Sequence, residues 1–166
     1  MKKVLILLAI AFAALGAQSN KSNFGGKWAL DMKKSANLPA SFKSVDSYLV
    51  EVQQTPDSLI SVATMSGAGQ KVSFPQFSFA LDGSETFRED VQRNTKRWSK
   101  VQWQTTGKKM IVLTRVLQKR GEKDVSYTQR DVWQLLDRNT IEQSITLSYT
   151  KPDSTHSERR IFRRIK

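Results

Sequence analysis

Apolar and polar residues alternate along most of the chain beyond residue 44, in segments of about 7 to 12 residues rich in Val, Ile, Thr and aromatic side chains. A period of two is typical of β-strands with one buried face and one solvated face. Turn signals such as Asp82-Gly83 separate the segments. Together with 27–32, the predicted strands are 45–54, 59–66, 71–81, 85–92, 95–104, 109–120, 123–136, 140–149 and 155–166. The pattern therefore predicts ten strands, and the segment 33–44 is expected to be a long loop or to hold one helical turn.

The connections between these segments are short, so strands adjacent in sequence are expected to pair antiparallel. A meander of ten strands leaves two unpaired edges, and closure into a barrel removes both. The sequence therefore predicts an all-β fold, an antiparallel up-and-down β-barrel of about ten strands. A two-sheet sandwich is the alternative, but it would require long crossover connections, which the pattern does not show.

The alternation also assigns side chains to the inside of the fold. One face of 123–136 carries Val125, Tyr127, Gln129, Asp131, Trp133 and Leu135, and one face of 140–149 carries Ile141, Gln143, Ile145, Leu147 and Tyr149. These faces are mostly apolar, but Gln129, Asp131 and Gln143 interrupt them. In 109–120 both faces are apolar, so the pattern leaves open which of them points inward.

The first 17 residues have the order of a signal peptide. Two lysines precede an apolar run at 4–15, which is too short to span a bilayer, and small residues follow. We therefore expect cleavage after Ala17, export to a bacterial periplasm or medium, and one domain over 18–166. A buried N-terminal helix is the alternative. No later segment is apolar enough to be expected to span a membrane as a helix.

Composition narrows the chemistry and the partners. The chain has no cysteine, which excludes disulfides, zinc thiolate sites and thiol nucleophiles. Its 27 Lys and Arg against 15 Asp and Glu give a formal charge of +12, which favours anionic envelope lipid or polysaccharide as a partner. Nucleic acid is a less expected partner because of the predicted export. The basic runs 93–100 and 159–166 have two interpretations, an anion-binding surface with Trp98 as a stacking platform or a solvated strand face.

Catalytic and metal-binding patterns are weak. The single histidine, His156, is interpreted as a solvated residue at the start of a strand, because a catalytic or metal-bound histidine needs oriented partners. Asp131 has three open interpretations: a polar anchor, a general base whose pKa is raised by burial, or a carboxylate paired with an arginine such as Arg115. We therefore expect no enzymatic activity, no catalytic residues, no metal and no cofactor.

The segment Gly26-Lys27-Trp28 resembles the Gly-x-Trp signature on the first strand of lipocalins. The longer pattern Phe-x-Gly-x-Trp-x-Leu-Asp at 24–31 resembles small exported lipocalin-like proteins of bacteria, within the calycin superfamily. The resemblance implies that Trp28 plugs one end of the barrel, with Gly26 allowing close backbone approach. It also implies that an arginine of the last strand lies across the indole, from the set Arg159, Arg160, Arg163 and Arg164.

A strand count of ten is closer to the fatty-acid-binding branch of the calycins, which holds a carboxylate with Arg-x-Tyr on its last strand. Arg160-Ile161-Phe162 matches only the arginine of that motif. The expected function is a binding protein that holds a small hydrophobic or amphipathic ligand inside. The candidate ligand-binding residues are Arg115, Tyr127, Gln129, Asp131, Gln143 and Arg160. The alternative is a filled barrel that binds anionic envelope surfaces through its basic strands.

Overall fold

The computed structural model describes residues 21–104, 106–121, 123–150 and 153–166, and these form one antiparallel sheet of 11 strands. The predicted signal peptide lies outside the described residues. The strands are β1 (Gly26–Leu30), β2 (Ser47–Gln54), β3 (Ser58–Gly67), β4 (Gln70–Ser73), β5 (Phe77–Ala80), β6 (Glu85–Asp90), β7 (Thr95–Trp103), β8 (Lys109–Arg120), β9 (Lys123–Asp137), β10 (Thr140–Thr150) and β11 (Asp153–Ile165). A single 3₁₀ turn, Ala40–Ser44, lies in the segment that was expected to be a loop or one helical turn.

The hydrogen-bonded order of the strands is β4-β3-β2-β1-β11-β10-β9-β8-β7-β6, with β5 paired to β3 beyond the end of β4. Neighbours in the order are neighbours in sequence except where β1 meets β11. There the first and last strands pair antiparallel, with Trp28 opposite Arg164. The predicted all-β antiparallel meander is therefore confirmed.

The predicted strand 71–81 is two strands, which raises the strand count from ten to eleven. β4 ends before Phe74, and β5 begins at Phe77. Between them lies Pro75, which has no N–H to donate to a ladder and therefore interrupts strand pairing. The apolar alternation changes phase across the break, from Val72 and Phe74 to Phe77, Phe79 and Leu81, so the prediction of one continuous strand was wrong.

The ladder of hydrogen bonds does not close, contrary to the predicted barrel. β5 and β6 are described throughout and are joined by the Asp82-Gly83 turn, yet they do not pair with each other. Ser84 donates two hydrogen bonds to Asp82 Oδ1, one from its amide at 2.8 Å and one from its hydroxyl at 2.7 Å. These bonds stabilise a local turn at Asp82 in place of a two-residue hairpin turn. Leu81 instead donates its amide to Asp57 O and is buried. The turn thus carries β6 away from β5.

The sheet nevertheless curls around one interior, because strands from both halves of its order contribute to the same core. The buried core residues are Phe24, Trp28, Val50, Val52, Leu59, Phe79, Leu81, Val101, Met110, Val112, Trp133, Ile141 and Phe162. On β8 the inward face carries Met110, Val112 and Val116, while Leu113 and Leu117 point outward. The even-numbered face of this strand therefore points inward, which the sequence pattern had left open.

No helix among the described residues is long and apolar enough to cross a membrane.

Candidate functional site

One end of the interior is filled by Trp28. Its side chain is 1% exposed, and its Nε1 donates a hydrogen bond to the Phe24 carbonyl oxygen at 2.9 Å. The guanidinium of Arg164 lies 4.1 Å from the centre of the indole ring. Arg164 is held there by hydrogen bonds to Gly25 O at 2.9 Å and to Arg138 O at 3.0 Å. Of the four arginines considered on the last strand, Arg164 is thus the one that covers the tryptophan.

Gly26 is required beside this stack for two reasons. Its φ is +136°, a value that side chains rarely tolerate. A Cβ atom built on Gly26 would also collide with Nη1 of Arg164. The missing side chain therefore provides the space that the arginine occupies. We call Phe24, Trp28 and Arg164 the plug.

Aromatic packing continues from the plug towards the middle of the interior. Phe24 stacks on Trp103, with ring centres 6.1 Å apart, and meets the edge of Trp133 at 5.8 Å. Trp133 also lines the cavity described next. This indole therefore forms the boundary between the packed end and the hollow part of the interior.

Beyond Trp133 lies a cavity of about 350 Å³. Its apolar lining comes from β2, β3, β5 and the β4–β5 connection, and includes Val50, Ala63, Phe74, Phe77 and Phe79. One set of polar lining residues comes from β2, β3, β7 and β8, namely Tyr48, Ser61, Arg97, Ser99 and Thr114, and a second set comes from β9, β10 and β11. We call this second set the polar wall, and it consists of Gln129, Asp131, Gln143, Glu158 and Arg160. The cavity is therefore two-sided, with hydrocarbon facing charged and amide groups.

An ion pair forms the centre of the polar wall. Arg160 Nη2 lies 2.6 Å from Glu158 Oε1, and the two side chains are only 14% and 5% exposed. Arg160 also lies over the rings of Phe42 and Tyr48, at 5.3 and 5.6 Å from their centres. Burial raises the pKa of the Tyr48 hydroxyl, while the charge and hydrogen bond of Arg160 partly offset that rise.

Asp131 is the second buried carboxylate of the polar wall. Its oxygens accept hydrogen bonds from Gln129 Nε2 at 2.9 and 3.2 Å. Burial raises the pKa of this carboxyl group to about 6, although the hydrogen bond from Gln129 and the charge of Arg160 act in the opposite direction. The partner of Asp131 is thus Gln129 on its own strand, and Arg115 is not involved.

Four of the six candidate ligand-binding residues meet at this cavity: Gln129, Asp131, Gln143 and Arg160. Tyr127 lies further along the same face of β9, beside Tyr149, and lines a neighbouring space. Arg115 does not line this cavity, because its neighbours Thr114 and Val116 are the buried residues of β8 and its own side chain is exposed. It stacks on Trp98 outside, 4.9 Å from the ring centre.

Among the lining residues that were not predicted candidates, three carry ionisable side chains: Tyr48, Arg97 and Glu158. Their alternation could have revealed them. Arg97 shares its face of β7 with the buried Thr95, Ser99 and Val101, and Glu158 shares its face of β11 with Arg160 and Phe162. Each basic run has residues on both faces of its strand: Arg97 and Arg160 point inward, while Lys96, Lys100 and Arg159 are exposed. Interpreting each run as a single surface therefore missed the inward-facing residues.

His156 is exposed near the start of β11. Among the described residues, no group of three or more histidine, aspartate and glutamate side chains is placed to hold a metal ion. The polar wall pairs Asp131 with Gln129 and Glu158 with Arg160, and it still has a buried donor and a buried acceptor without partners among the described residues.

No family model matches this sequence, and no curated protein is significantly similar to it.

Proposed function

We propose that this chain is a lipocalin-like binding protein that holds one small amphipathic molecule in the cavity beyond Trp133. The observation that carries the proposal is a cavity of about 350 Å³ with hydrocarbon on one side and a polar wall on the other. This volume is at the lower end of the roughly 300–1,000 Å³ range of small-molecule sites. The ligand is therefore small, with a short apolar part and one polar end.

Binding is favoured over catalysis by the way the carboxylates are engaged. Asp131 accepts hydrogen bonds from Gln129, and Glu158 is paired with Arg160. Neither carboxylate contacts a nucleophilic side chain among the described residues, as a general base would in the common arrangement. The polar wall has instead the features of a recognition surface, with a few fixed polar groups in a mostly apolar site.

The order of charge, apolar run and small residues at 1–17 supports export, and we place the binding site in a bacterial periplasm or the medium. The N-terminal sequence of the protein recovered from an expressing bacterium tests this part separately. A mature chain that begins at Gln18 would support it, and a chain that retains Met1 in the cytoplasm would contradict it.

A cavity-filling variant tests the binding proposal. Ala63→Phe places a ring in the cavity, whereas Val62→Phe places the same ring on the other face of β3. We expect N-phenyl-1-naphthylamine to bind the wild type and the Val62 variant with increased fluorescence, and to bind the Ala63 variant at least about tenfold more weakly. Equal binding to all three proteins would place the probe outside the cavity and contradict the proposal.

A second candidate function is binding to anionic envelope surfaces. It is favoured by a patch of apolar and basic side chains on the outer face of β6, β7 and β8. Phe87, 56% exposed, packs on Trp98, and Leu113 and Leu117 are exposed nearby. Register places the exposed Lys96 and Lys100 opposite these two leucines. If this candidate is correct, sedimentation with anionic phospholipid vesicles should fall steeply as salt rises. No association at low salt would eliminate it and leave the cavity as the functional site.

A further inference from the structure

We propose that the cavity selects an uncharged polar group that both donates and accepts hydrogen bonds, an alcohol or a carboxamide on a short apolar tail, over a fatty acid or an alkylamine. This inference rests on the proposed binding function and specifies its ligand class. It comes from the balance of charge in the cavity and from the polar atoms that have no partner there.

The charges that line the cavity are balanced. Asp131 and Glu158 contribute two carboxylates, and Arg97 and Arg160 contribute two guanidinium groups. A charged ligand would add one unpaired charge to a buried site, and desolvation of such a charge is costly. An uncharged ligand avoids this cost.

The ion pair at the centre of the polar wall uses only one donor of Arg160 and one acceptor of Glu158. Arg160 Nη2 reaches Glu158 Oε1, but the adjoining atoms Arg160 Nε and Glu158 Oε2 are buried and have no hydrogen-bond partner among the described residues. One of these atoms is a donor and the other is an acceptor. A hydroxyl or carboxamide that approached the pair could accept from the first and donate to the second.

Gln143 supplies a third such group. It is 8% exposed, lines the cavity, and its amide makes no hydrogen bond to another described residue. Register places Gln143 directly opposite Arg160, and Ile145 opposite Glu158. Opposite residues on antiparallel strands have Cβ atoms roughly 5 Å apart. Gln143 therefore lies beside the incomplete ion pair, and one small polar group could reach both.

The two charged alternatives fit this wall less well. A carboxylate only accepts, so it would compete with Glu158 for Arg160 and would leave Glu158 Oε2 without a donor. An alkylammonium only donates, so it would leave Arg160 Nε without an acceptor and place a cation beside two guanidinium groups. The apolar residues across the cavity, including Ala63 and Phe79, are available to an alkyl tail in every case.

Four ligands with one tail isolate the polar end: 1-octanol, octanamide, octanoate and octylamine. Their affinities for the wild-type protein are measured by calorimetry at about pH 7.5, where the acid is anionic and the amine cationic. We expect the alcohol and the amide to bind at least about tenfold more tightly than either charged ligand, as hydrogen bonds to buried charged groups would give. Octanoate or octylamine binding as tightly as octanol would overturn the inference.

A matched pair of variants locates the preference at the polar wall. Gln143→Leu removes the unpartnered amide with little change in size, and Glu142→Gln changes the adjacent side chain on the opposite face. We expect the preference for octanol over octanoate to fall at least about threefold in the first variant and to remain unchanged in the second. An unchanged preference in both would contradict the assignment to Gln143. The ligand series on the wild type decides the question even if the Gln143 variant does not fold.

The same experiments separate this inference from the proposed function. If N-phenyl-1-naphthylamine enters the cavity but the uncharged ligands have no advantage, the carrier function stands and the ligand class is wrong. If neither the fluorescent probe nor any eight-carbon ligand binds, both are wrong.

Discussion

At one end of the interior, Trp28 is sealed between Phe24 and Arg164, and its indole nitrogen donates to a backbone carbonyl. At the other end, Glu158 and Arg160 are also largely buried but leave one donor and one acceptor without a partner among the described residues. β11 contributes to both ends, with Arg164 at the plug and Glu158 and Arg160 at the polar wall. On β9 the apolar Trp133 and the polar Asp131 are two residues apart on one face.

This difference indicates how the fold would combine stability with the binding site that we propose. Buried polar atoms without partners each cost free energy, so a site of this kind must be supported by other parts of the molecule. The plug and the aromatic residues around it provide that support mainly through the apolar area that they bury, because Trp28 Nε1 donates to Phe24 O but Nε1 of the neighbouring Trp103 has no partner among the described residues. We therefore expect changes at the plug to reduce stability, and changes at the polar wall to alter ligand binding and, in some cases, to increase stability.

The largest expected effect is that of Trp28→Ala. It removes a fully buried indole and leaves Arg164 above an empty space, so the free energy of unfolding should fall by about 3–5 kcal/mol. Urea unfolding measures this loss. Trp98→Ala, on the outer face of β7, is the matched control and should cost about 1 kcal/mol. Equal losses in the two variants would show that Trp28 is not the structural centre of the packed end.

The next effect is a gain. Asp131→Asn removes a carboxyl group whose pKa is raised by burial to about 6 from 3.8, so the variant should be more stable at pH 8 by up to about 3 kcal/mol. Since the folded wild type binds more protons than the unfolded chain between these pKa values, its stability should fall as pH rises from about 4 to 6. The variant should lack this slope. Asp124→Asn, at an exposed position of the same strand, should keep it, and a slope unchanged in both variants would contradict the assignment.

Gly26→Ala should cost about 2 kcal/mol, because the new methyl group meets Arg164 and the backbone has positive φ. Gly121→Ala is a suitable control, since Gly121 also has positive φ but has open space around its missing Cβ. It should cost about 1 kcal/mol, from the backbone alone. Thermal unfolding of both variants checks the difference. A loss of stability at Gly26 no greater than that at Gly121 would mean that the Arg164 side chain moves aside at no cost in free energy.

The smallest effect is expected on the outer surface. Glu89 and Lys96 form an exposed ion pair at 3.5 Å, and Glu89→Gln should change the free energy of unfolding by less than about 0.5 kcal/mol. The comparison with the buried Glu158–Arg160 pair is informative, because removing one partner of a buried pair leaves a charge without compensation. A loss above about 1 kcal/mol for Glu89→Gln, measured by urea unfolding, would show that this exposed ion pair contributes more to stability than expected.

Alternation alone was sufficient to predict the meander, the inward faces of β9 and β10, and the buried position of Asp131. It works because side chains on a strand point to opposite sides in turn, whatever the partner strands are. For the same reason it could have placed Arg97, which shares the inward face of β7 with Thr95 and Ser99.

The remaining features depend on contacts between distant parts of the chain. The missing pairing of β5 and β6 follows from Leu81 joining Asp57 and from the local turn at Asp82. The choice of Arg164 among four arginines depends on pairing of the first and last strands. Neither of these is encoded in local periodicity.

We propose that the cavity beyond Trp133 holds a small molecule, and native mass spectrometry of protein purified from expressing cells is the decisive experiment. We expect one reproducible small-molecule adduct on the wild type and on Val62→Phe, and its loss from Ala63→Phe. An adduct that persists in Ala63→Phe, or a bare protein mass for the wild type in buffers that preserve non-covalent complexes, would contradict the claim.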